Sequence, residues 1–87
     1  MLLMNLTTKP NPAELSFFSQ TLTAEDKILI SANAISLAVQ ANSFAAEGFI
    51  RQNDAAKIGA NVDDSWQIIS DQQWIDLVIS TEKTVTW

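Results

Sequence analysis

Cysteine and histidine are both missing from this 87-residue chain. Without cysteine there is no disulfide, no thiolate metal site and no thiol nucleophile. Without histidine, the imidazole ligands of most zinc sites, the Ser-His and Cys-His nucleophile pairs and the one side chain that titrates near neutrality are gone as well. Carboxylate, lysine or serine chemistry is all that remains, so the chain is expected to act without catalysis, metal or cofactor. Tyrosine is absent, and two Gly and two Pro are too few breakers for a loop-rich scaffold. Charge is scarce at 17% of residues against 47% hydrophobic, which is too apolar for a disordered chain and below the charge content of an ordinary soluble domain.

The scarcity is concentrated. From Ile28 to Ala46 no residue is charged, and small residues recur throughout. A helix facing water would carry a Lys or Glu on each turn, so this stretch is expected to be covered by the rest of the fold or by a partner. It is nearly long enough to span a bilayer, but Ser31, Asn33, Ser36, Gln40, Asn42 and Ser43 interrupt it. Amides at the bilayer centre are costly, and the reading is of a cytoplasmic chain without membrane contact. The opening Met1-Leu2-Leu3-Met4 lacks the basic flank and full apolar run of a secretory signal.

Net charge is −5, and most of the acid lies in the second half: Glu47, Asp54, Asp63, Asp64, Asp71, Asp76 and Glu82 against Arg51, Lys57 and Lys83. The five basic residues are scattered, so no phosphate-tracking stripe forms, and nucleic acid is disfavoured as a partner. The acidic half serves either solubility or a basic partner surface.

Helix-start chemistry occurs three times. Asn11-Pro12-Ala13-Glu14, Thr23-Ala24-Glu25-Asp26 and Ser70-Asp71-Gln72-Gln73 each place a capping oxygen before residues that favour the first turn. They predict a short helix from about Pro12 to Gln20, a long central helix from Ala24 to about Gln52, and a last helix over Asp71–Ser80. Between these, Asn53 caps a short helix over Asp54–Ile58 that Gly59 ends, and a further helical turn covers Asp63–Ile69. Thr84-Val85-Thr86-Trp87 alternates like a strand or an extended tail. The expected architecture is one all-α domain over residues 1–87, a bundle of four to five helices around the long central one, with residues 1–10 as a flexible tail. The alternative is α+β, with Trp66–Ile69, Trp74–Ile79 and Thr84–Trp87 forming a small C-terminal β-meander.

On the central helix Asn33, Ser36, Gln40, Ser43 and Glu47 fall at spacings of three and four and form one polar stripe. Ala34, Ala38, Ala41 and Ala45 share another face, where small residues let a second helix approach. That face serves either the chain's own core or a protein partner, a homodimer included. Phe44, Phe49 and Ile50 flank Glu47 and Arg51 and are expected to form an apolar patch with a charged rim. Of the three tryptophans, Trp66 and Trp74 are expected in the core and Trp87 at an interface. Asp63 and Asp64 are acidic partner contacts; their spacing fits no calcium loop.

The stretch from Asp54 to Ile69, with Ala55 four residues before Gly59, resembles a helix-turn-helix, which implies DNA reading as the alternative function. Asp63 and Asp64 would open its second helix where a DNA reader presents cationic or amide side chains. The favoured expectation is a small acidic protein-binding module that inhibits or neutralises a macromolecular partner, in the manner of an adaptor, an antitoxin or immunity protein, or a phage inhibitor.

Overall fold

The computed structural model describes residues 2–59 and 61–87. Met1, which opens the apolar N-terminal run, and Ala60, inside the stretch compared with a helix-turn-helix, lie outside them. Strands β1 (Leu2–Leu6), β2 (Lys27–Ile30), β3 (Glu47–Arg51), β4 (Trp66–Ile69) and β5 (Lys83–Thr86) form one sheet in the order β4-β3-β2-β1-β5. Every neighbouring pair is parallel. Helices α1 (Pro12–Thr21), α2 (Gln52–Ile58) and α3 (Asp71–Ser80), with a 3-10 helix over Ala32–Val39, supply the crossovers. The fold class is therefore α/β, and the expected all-α bundle is overturned. The α+β alternative is met only in part: Trp66–Ile69 and the C-terminal segment are strands, but Trp74–Ile79 is helical and the strands do not form a meander.

The largest correction concerns the expected central helix. Its N-cap signal at Thr23 closes a turn instead, with the Asp26 carboxylate accepting from the Thr23 amide at 3.0 Å and the Asp26 amide donating to the Thr23 carbonyl at 3.0 Å. The same local chemistry serves a helix start or a turn. Ile28-Leu29-Ile30 then runs as a strand buried on both sides, and a continuous apolar run is what an inner parallel strand requires. The charge-free stretch is hidden only in part: the strand is buried, as are Ala34 and Ala38 of the 3-10 helix, while Asn33, Ser36, Val39, Gln40, Ala41, Ser43 and Ala45 are exposed. Gly48, expected at a helix bend, lies in β3 directly under the Trp66 ring of β4, where an added methyl group would clash with that ring. Residues 1–10, expected as a tail, contain β1, which pairs on both sides. The helical turn expected over Asp63–Ile69 is absent, and with it the second helix of the helix-turn-helix comparison, because Trp66–Ile69 is strand β4.

The two other caps behave as the spacing predicts. Asn11 and Ser70 each accept from the amide three residues on, and Glu14 and Gln73 return the bond to the cap amide. Gly59 ends α2 with φ 69°, a left-handed conformation that costs glycine nothing. Ala32 holds φ 52° at the start of the 3-10 helix, a strained backbone for a residue with a Cβ.

Crossovers β1-α1-β2, β2 to β3 and β3-α2-β4 all advance in one direction across the sheet, and β4-α3-β5 returns across its full width. With a constant crossover hand, reversing direction sends the helix to the opposite face. The packing shows this. Phe18, Leu22, Ala34 and Ala38 join Met4, Leu6, Ile28, Ile30, Ile50 and Trp66 in one core. On the other face Leu3, Leu29, Phe49 and Ile69 meet only Trp74 and Leu77 of α3 among the described residues. One face thus carries three helical elements and the other carries one. No helix among the described residues is long and apolar enough to cross a membrane.

Candidate functional site

Helix α3 is the sole cover of its sheet face among the described residues, and it is amphipathic in an unusual sense. At 100° per residue, Trp74 and Leu77 point to the sheet, Ile75 and Ile79 fall on the outward side, and Val78 lies on the flank next to Trp74. None of the ten residues of α3 is buried. Ile79 is 76% exposed, Ile75 45% and Val78 36%. A stripe of three aliphatic side chains in water, on a helix that already anchors the core with its other side, is an unpartnered surface.

On the other flank of α3 a groove of about 340 Å³ runs between the helix and edge strand β4. Phe49 and Ile69 make its apolar floor, and Gln67, Gln73 and Asp76 are among its walls. Asp76 accepts a 3.2 Å bond from Gln72 and sits on the helix between groove and stripe. Strand β4 has no neighbour on its outer side among the described residues. Its Ile68, 51% exposed, is in register with Ile50 and faces the α1 side of the sheet, away from the groove. None of Ile75, Val78 and Ile79 lines the groove.

Parallel sheets usually bind small ligands where neighbouring strands send their crossovers to opposite faces. Here that crevice lies at the carboxyl ends of β3 and β4, and the chain fills it with its own side chains. The Arg51 guanidinium lies 5.0 Å from the Trp74 ring centroid and 3.4 Å from the Asp54 carboxylate. Asp54, buried, is also 3.6 Å from Lys57. Arg51 Nε is buried without a hydrogen-bond partner among the described residues. Among the described residues no group of three or more acidic side chains is gathered as a metal site would need.

The residues singled out in the sequence separate. Ala34 and Ala38 are fully buried in the chain's own core, and Phe44 is buried with them. Ala41 and Ala45 are exposed, and the shared alanine face does not exist because the helix that would carry it ends at Val39. Phe49 is buried on the other face, where it floors the groove. Asp63 and Asp64 lie in the turn before β4. The Ser65 hydroxyl and amide hold the Asp63 carboxyl below its ordinary value, with bonds of 2.6 and 2.9 Å. Trp87 is 42% exposed and stands with Phe17, 57% exposed, around a separate hollow. Its indole donates to Glu14 at 2.9 Å and its ring meets Phe18 edge-on at 5.0 Å.

The α3 stripe escaped the sequence reading, although its signal was there. Trp74, Ile75, Leu77, Val78 and Ile79 are too many apolar residues for a ten-residue helix that buries one side. No known protein-family model matches the chain, and a comparison with curated proteins finds no relative.

Proposed function

We propose that the chain is a protein-binding module that docks its partner on the outward face of α3, and that it acts by occupying that partner. The carrying observation is the single-helix cover of one sheet face, whose outer side remains aliphatic at Ile75 and Ile79. An acidic chain of −5 with its ligand crevice closed by Arg51 and Trp74 is suited to macromolecular contact more than to small-molecule chemistry.

The test is the double substitution Ile75→Ser, Ile79→Ser. Both side chains are largely in water, so stability should change by less than about 1 kcal/mol. Affinity capture from the source cell should retain a specific protein on the parent chain and lose it on the double variant. A Phe17→Ser control, on the far hollow, should keep it. Retention of the same protein by the double variant would sink the reading.

A further inference from the structure

We draw no further inference here: the strongest candidate, the aliphatic outward side of α3 at Ile75 and Ile79, carries nothing beyond the proposed docking because nothing in the structure shows what covers it.

Discussion

Asp26 shows how much one side chain can carry in a small sheet. Its carboxylate accepts from the Thr23 amide and from the Leu2 amide, both at 3.0 Å, and so ties the turn before β2 to the start of β1. The Thr23 backbone bond is the leading cause that holds its pKa below the ordinary 3.8, with the Leu2 bond assisting and burial opposing. A carboxyl whose folded pKa is depressed adds stability above its unfolded pKa and loses it as pH falls through the folded value. Stability should therefore decline as pH drops below about 4. Asp26→Asn keeps at most one of the two acceptor bonds and should cost about 1 kcal/mol at neutral pH. Urea unfolding across pH checks both: the variant should show a lower plateau and a flatter acid limb, and parallel curves would remove Asp26 from the account.

At the scale of elements, the helices with reciprocal caps were legible. The long central helix was expected from a signal without one and is not there, while α2 forms without any side-chain cap and starts at Gln52, before the expected cap at Asn53. Asn11 with Glu14 and Ser70 with Gln73 start α1 and α3 where the spacing put them, because each pair satisfies two orphan amides with no help from the rest of the fold. Thr23 had acidic residues after it but no such reciprocity, and it closes a turn. The polar stripe Asn33, Ser36, Gln40, Ser43 and Glu47 illustrates a different limit. All five are exposed, yet they belong to a 3-10 helix, a loop and a strand. Periodicity reported which residues meet water without reporting the element. Because α3 is held to the sheet only through Trp74 and Leu77, its cap matters more than usual. Ser70→Ala should destabilise the protein by about 1 kcal/mol, and hydrogen exchange should show the loss first in the amides of α3.

For the whole molecule the decisive contact is the longest one in sequence. Strand β5 returns to pair with β1, with Asn5 facing Thr86, and Trp87 continues the pairing through bonds to Asn5 and Thr7 at 2.8 Å. Val85 packs against the larger core. Val85→Asp places a charge there and should cost about 2–3 kcal/mol. Since β1 lies between β5 and β2, hydrogen-exchange protection should fall in β1 together with β5. Loss confined to β5 would mean that the edge strand opens independently of the sheet. The same topology leaves one sheet face thinly covered. With only one crossover returning, one side of a five-stranded sheet is left to a single ten-residue helix.

The sequence by itself determined the caps of α1 and α3, the left-handed stop at Gly59, the acidic balance and the absence of imidazole and thiol chemistry. Each of these depends on residues close together in the chain, or on composition alone. Tertiary structure decided whether Ile28-Leu29-Ile30 is helix or strand, the order of the sheet, and which apolar side chains are left in water. A short apolar run satisfies its backbone equally well within a helix or across a sheet. Only the presence of parallel neighbours, brought from as far as Thr86, selects the strand, and only the return path of α3 determines that Ile75 and Ile79 face outward.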